Sequence, residues 1–140
     1  MKTRSNRNRA KKTRKNHAQI KNHLVEVFLG ILNSVKLYHW KTHSFSQHKA
    51  TDELYSKLNE HIDTFMEILL GKDQSRIPDF NILVPLVNDT SFKARILKYR
   101  EFLIDMTNTF DAQRDTDLLS IRDEILGDVN QFLYLLTFNK

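Results

Sequence analysis

The 140-residue sequence has no cysteine, only three glycines and only two prolines. Without cysteine there is no disulfide, no thiolate metal site and no cysteine nucleophile, so any metal must sit on histidine, aspartate or glutamate. The same absence points to an intracellular or intravirion setting. The glycines are scattered singly, which excludes a phosphate-cradling loop, and no arrangement suggests a nucleophile triad. The longest apolar runs, LVEVFLGIL and FLYLLTF, fall short of the ~18 residues that a membrane-spanning helix needs. No apolar signal segment opens the chain. The expectation is a soluble protein that is not secreted and makes no membrane contact: cytoplasmic, nucleoid-associated or carried in a virion. Also missing is any Glu-x-x-His, which a di-iron bundle assembled within one subunit requires.

Acid is missing from residues 1–16, MKTRSNRNRAKKTRKN, where Lys2, Arg4, Arg7, Arg9, Lys11, Lys12, Arg14 and Lys15 supply eight positive charges. The overall charge of +5 therefore divides unevenly: the remaining 14 basic residues face all 17 acids, a net of −3. With Met1 and Ala10 as its only apolar residues, the segment cannot bury enough surface to offset the entropy of ordering, and disorder is expected. Such arms neutralise phosphates and bind nucleic acid in a salt-sensitive, sequence-independent way. A solubilising tail or a localisation signal has the same composition. The organisation expected is a disordered basic arm over 1–16 and one domain over 17–140.

What is abundant is apolar spacing of period 3.6, which predicts helices throughout. The first is expected over 17–40, burying Ile20, Leu24, Val27, Phe28, Ile31, Leu32 and Val35. A second, over 46–70, turns Leu54, Leu58, Ile62, Phe65 and Leu69 inward, with Gly71 as its stop. A third is placed over 91–110 and a fourth over 117–137. Both prolines fall in the connection 72–90, where one short helix is expected and FNILVPLV should pack on the bundle. Four matched helices with a long middle connection predict an all-α four-helix bundle with a crossover between helices two and three.

The residues that could carry chemistry lie in YHWKTHSFSQHKATDELY, 38–55, and in DTFME, 63–67. At 100° per residue from His48, Asp52 falls near 40°, Asp63 near 60° and Glu67 near 100°, while the apolar stripe of helix two centres near 280°. His48/Asp52 and Asp63/Glu67 each have the i,i+4 spacing that lets two side chains meet one ion. The pairs are 15 residues apart, ~22 Å along a helix, so one chain cannot close both around one ion. Either they are unrelated surface polars, or a second copy of helix two lies antiparallel across a two-fold axis and brings His48 and Asp52 of one chain to Asp63 and Glu67 of the other. His39 could complete such a site. Nitrogen and oxygen ligands without sulfur suit iron or manganese and admit zinc. His61, at mid-helix, reads as a polar interface residue rather than a ligand.

The stretch 37–71 resembles the signature of the Dps proteins, DNA-protecting members of the ferritin-like superfamily. That pattern has His-Trp at the end of the first helix, then a histidine with an acid four residues on. An aspartate follows eleven residues after that acid, and a glutamate four residues later. His39-Trp40, His48, Asp52, Asp63 and Glu67 match it in the last three intervals. The resemblance implies a ferritin-like bundle, metal ligands His39, His48, Asp52, Asp63 and Glu67 shared between two subunits, and ferroxidase-type oxidation of Fe(II). It also implies a homo-oligomer through two-fold contacts of helix two, up to a dodecamer storing iron, nucleic-acid binding through the basic tail, and Trp40 beside the metal. The sequence departs from the pattern in three ways. Nine positions separate His39 from His48 instead of twelve, KTHSFSQ replaces a glycine-containing loop, and Ile68 stands where the family has arginine. The shortened loop makes His43 a candidate substitute or extra ligand. Short Dps-like chains of this kind are also similar to ferritin-like proteins of phages and large DNA viruses. The alternative from another class is a non-enzymatic oligomeric bundle that compacts nucleic acid through residues 1–16, its metal site vestigial or filled by zinc.

Overall fold

A computed structural model describes the backbone of residues 4–84, 87–88 and 90–138, and side chains from residue 18 onward within those ranges. Among these residues there are four helices: α1 (Arg4–Lys41), α2 (Phe45–Asp73), α3 (Phe92–Thr109) and α4 (Thr116–Leu135). Among the described residues there is no strand. Helix α1 packs against α2 and α3, and α4 packs against the same two, so α1 faces α4 diagonally across a four-helix bundle.

The long connection between α2 and α3 sets the topology. At one end of the bundle the Lys21 ammonium donates to the Asp73 carboxylate and, at 2.7 Å, to the Ser75 hydroxyl. At the other end the Lys41 ammonium donates to the carbonyl of Val87 at 2.7 Å, and the Tyr38 ring stacks on Phe92 with centroids 3.9 Å apart. Lys21 and Lys41 are 20 residues apart on one helix, so the connection climbs ~30 Å and makes α2 and α3 parallel. Its start is fixed by Gln74, which caps α2 in the left-handed region at φ 54°, where a non-glycine residue is tolerated because it ends the helix.

The core is built from the apolar stripes that the periodicity marks. All five predicted inward positions of α2 are buried, together with Leu24, Phe28, Ile31, Leu32 and Val35 of α1. The Phe65 ring meets Phe28 and Phe110 edge-on, at 5.2 and 5.8 Å, a favoured aromatic arrangement.

One element is longer than expected, and two expectations need correction. The basic segment, expected to be disordered, is helical from Arg4 onward. It has no proline or glycine, and a packed helix already nucleated propagates through such residues at little cost. Ile20, expected to be buried, is 37% exposed; it lies at the Asp73 end of the bundle and lines an open pocket there with Leu69, Phe110 and Leu118. In the connection, no helix is present among the described residues between Gln74 and Ser91. Among the described residues of FNILVPLV only Val87 is fully buried, while Leu83 and Val84 face solvent; Pro85 and Leu86 lie outside the described residues.

Candidate metal centre

The end of α1 and the start of α2 are joined by only three residues, Thr42, His43 and Ser44. Helix α1 closes with the Thr42 N–H donating to the Tyr38 carbonyl at 2.9 Å. Helix α2 opens on Ser44, in extended conformation, whose hydroxyl accepts from the Gln47 N–H at 3.3 Å, as an N-cap serine does. The Tyr38 hydroxyl donates to the Gln47 side chain and ties the two helices at this point. A turn so short draws the last turn of α1 against the first turn of α2.

The consequence is that His39 and His48 clasp each other. Their rings stack with centroids 3.8 Å apart at 18°. His39 Nδ1 lies 2.8 Å from the His48 carbonyl, and His48 Nδ1 lies 2.9 Å from the His39 carbonyl. The His39 carbonyl belongs to the last turn of α1, where no amide of the helix remains to satisfy it. A carbonyl only accepts, so each Nδ1 must carry the proton and donate it. Each Nε2 is then the nitrogen with the free lone pair, the form in which a neutral imidazole binds a metal. Rings this close can offer their Nε2 atoms to one ion or to two neighbouring ions, with metal–nitrogen bonds of ~2.1 Å.

The carboxylates lie where the helical wheel put them. Asp52, Asp63 and Glu67 are all exposed on α2. Among the described residues none of them makes a hydrogen bond or ion pair within its own chain. One chain brings His39 and His48 together but leaves Asp63 and Glu67 remote, ~22 Å down the helix by its rise. Accordingly, no group of three or more His, Asp or Glu side chains able to hold a metal converges among the described residues of a single chain. Trp40 is 71% exposed, with the Lys36 ammonium 5.9 Å from its ring and 4.1 Å from that of Tyr55. His43 is exposed in the turn. His61 is taken up by α4, donating from Nδ1 to the Asp128 carboxylate at 2.6 Å, with Glu124 3.3 Å from Nε2. Lys2 lies outside the described residues, as do the side chains of Arg4, Arg7, Arg9, Lys11, Lys12, Arg14 and Lys15.

Sequence reasoning passed over one residue. Thr51 is completely buried, and its hydroxyl oxygen lies 3.1 Å from His39 Nδ1, 2.8 Å from the Gln47 carbonyl and 3.0 Å from the His48 carbonyl. The signal was available: Thr51 precedes Leu54 and Leu58 at i+3 and i+7, a polar residue on the apolar stripe of α2.

Comparison with known proteins adds a family but no activity. The model of a family of unknown function, DUF5856, matches residues 39–136. A protein of Enterobacteria phage T4, named "Uncharacterized 14.6 kDa protein in mobD-ri intergenic region", is 31% identical over 118 residues, covering 79% of this chain and 85% of that protein. No solved structure matches. No helix among the described residues is long and apolar enough to cross a membrane.

Proposed function

This chain belongs to the DUF5856 family, and we propose that it is a Dps-like, ferritin-like protein that binds and oxidises Fe(II) at sites shared between two copies. The observation that carries the reading is the clasp of His39 and His48, which holds both rings in the tautomer whose Nε2 can ligate. The three carboxylates on the exposed face of α2 support it, since they are unpaired among the described residues and a second, antiparallel α2 would bring Asp63 and Glu67 to the histidine end. The donor set fits the metal: imidazole nitrogens and carboxylate oxygens without sulfur suit iron, and manganese or zinc would find the same ligands acceptable.

In this reading iron is the substrate. His39, His48 and Asp52 of one copy and Asp63 and Glu67 of the other hold two Fe(II) ions side by side. Each ion gives up one electron; hydrogen peroxide accepts both and, with two protons, leaves as two water molecules, while the carboxylates balance the charge of the Fe(III) formed. Oxygen is the alternative acceptor. A closed shell, up to a dodecamer, would store the product.

Aerobic addition of Fe(II) should give ferric absorbance far faster with the protein than in buffer, and Asp63→Ala with Glu67→Ala should abolish the gain. Equal rates with and without protein would sink the proposal.

A second reading is favoured by the helical run from Arg4, which carries seven of the eight basic residues as a continuous extension of α1. Here the chain is a non-enzymatic oligomer that compacts nucleic acid through this segment. Metal analysis of protein purified with iron available separates the two.

A further inference from the structure

We propose that Thr51 is a positioning residue for the histidine pair, its buried hydroxyl a second anchor that helps to fix the orientation of His39 so that Nε2 faces outward. The inference rests on the metal reading of that pair and adds a residue that the ligand pattern does not contain.

The argument starts from an anomaly. Every other buried position of α2 is apolar: Leu54, Leu58, Ile62, Phe65 and Leu69. A hydroxyl at such a position is unfavourable unless it is bonded. Back-bonding to the carbonyl four residues earlier is common for helical threonine, and the Gln47 carbonyl at 2.8 Å provides it. That bond alone would satisfy the hydroxyl. Yet Oγ1 is also 3.1 Å from His39 Nδ1, a contact that crosses from α2 to α1.

The proton accounting gives this contact a direction. The Thr51 proton goes to the Gln47 carbonyl or to the His48 carbonyl at 3.0 Å, so toward His39 the oxygen can only accept. The His48 carbonyl at 2.8 Å also only accepts. Both atoms facing His39 Nδ1 therefore require the proton there, which leaves the lone pair on Nε2. Hydrogen bonds to the non-ligating nitrogen set the orientation and basicity of metal-binding histidines in general. Among the described residues His48 has only the His39 carbonyl in this role, so His39 is the ring that should respond to loss of Thr51.

The test uses the full chain labelled with 15N-histidine. In metal-free protein, 1H–15N spectra report the tautomer of each ring and the exchange of its Nδ1 proton; in a parallel titration Co(II) serves as the visible probe of affinity. Wild type should show both rings protonated at Nδ1. Thr51→Val, close in shape and lacking the hydroxyl, should leave His39 protonated at Nδ1, because the His48 carbonyl still faces that nitrogen, but should speed exchange of the Nδ1 proton with solvent and weaken Co(II) binding by about 10- to 100-fold as the ring loses its second anchor. Thr51→Ser should retain both properties, and Thr51→Ala serves in place of valine if that variant does not fold. Unchanged exchange of the His39 Nδ1 proton together with Co(II) affinity within about twofold of wild type in a folded hydroxyl-free variant overturns the role given to Thr51. A wild-type chain that binds no Co(II) counts instead against the metal reading, and the exchange of the His39 Nδ1 proton, faster without the hydroxyl and restored by serine, still decides for or against Thr51.

Discussion

Subunit complementation tests the shared site directly. In one variant His39 and His48 are both changed to asparagine, whose amide can still donate to the facing carbonyls but which has nothing at the Nε2 position. In the other, Asp63→Asn and Glu67→Gln keep shape and remove charge. Each variant alone has every site broken. The altered histidines and the altered carboxylates are 15 residues apart at closest, His48 to Asp63, or ~22 Å along α2, and metal–ligand bonds of ~2.0–2.2 Å cannot bridge that within one chain. In a mixed pair related by a two-fold axis, one site combines both damaged halves and the other combines both intact halves. Random pairing at equal amounts makes half the pairs mixed, each with one of two sites whole, so the iron-oxidation rate should recover to about a quarter of wild type. The assay is ferric absorbance after co-expression, or after mixing in denaturant and refolding together. Two results would refute the reasoning: no recovery on mixing while wild type is active, or full activity in either variant alone.

Two further predictions concern the bundle itself. The Lys21 ammonium, then the Ser75 hydroxyl, holds the Asp73 carboxyl down from 3.8 to about 2. A depressed acid contributes stability that is complete above its ordinary pKa and disappears as pH falls through the folded value. The gap in urea midpoint between wild type and Lys21→Met should therefore be present near pH 6 and close between about pH 4 and pH 2; it should be small, because Asp73 is 46% exposed and solvent screens the pair. A gap that persists undiminished at the acid end contradicts this. At Gly30, a Cβ would meet the Tyr99 hydroxyl at 3.2 Å, and that hydroxyl lies 3.1 Å from Ser34 Oγ. In a Tyr99→Phe background, Gly30→Ala should stabilise by about 1 kcal/mol through helix propensity. With Tyr99 intact, the disturbed hydrogen bond, worth about 1 kcal/mol, should offset most of that gain. Equal effects in the two backgrounds by chemical denaturation would show that the contact is not felt.

The bundle was legible because its signal is periodic and repeated. Leu54, Leu58, Ile62, Phe65 and Leu69 sit at helical spacing on one stripe, and burying them decides the orientation of α2 whatever the loops do. The same wheel that turned those residues inward placed Asp52, Asp63 and Glu67 on the opposite, exposed side. The clasp of His39 and His48 was not legible, because it depends on a turn of three residues whose geometry follows from capping by Ser44 and from the bond between Tyr38 and Gln47. The interval of nine between the histidines, a departure from the Dps pattern, is what allows their rings to stack. The basic segment is a different case. Composition speaks to whether a peptide folds alone, whereas residues 4–16 continue a helix already anchored by the packing of residues 24–38.

The two activities that the chain could combine are separated along α1. Residue 16, where the basic segment ends, is 23 residues from His39, or ~35 Å along the helix. The Debye length at physiological salt is ~8 Å, so the positive segment neither repels Fe(II) from the histidine end nor attracts phosphate to it within one chain. The segment also falls outside the family match, which begins at His39, whereas all five proposed ligands fall inside it. Two functions this far apart should be lost one at a time. Removing residues 1–16 should abolish salt-dependent nucleic-acid binding and leave iron oxidation unchanged, while Asp63→Asn with Glu67→Gln should do the reverse. Loss of both activities in either variant would mean that the arm and the bundle do not work independently, and that the arm helps to assemble the oligomer on which the shared site depends.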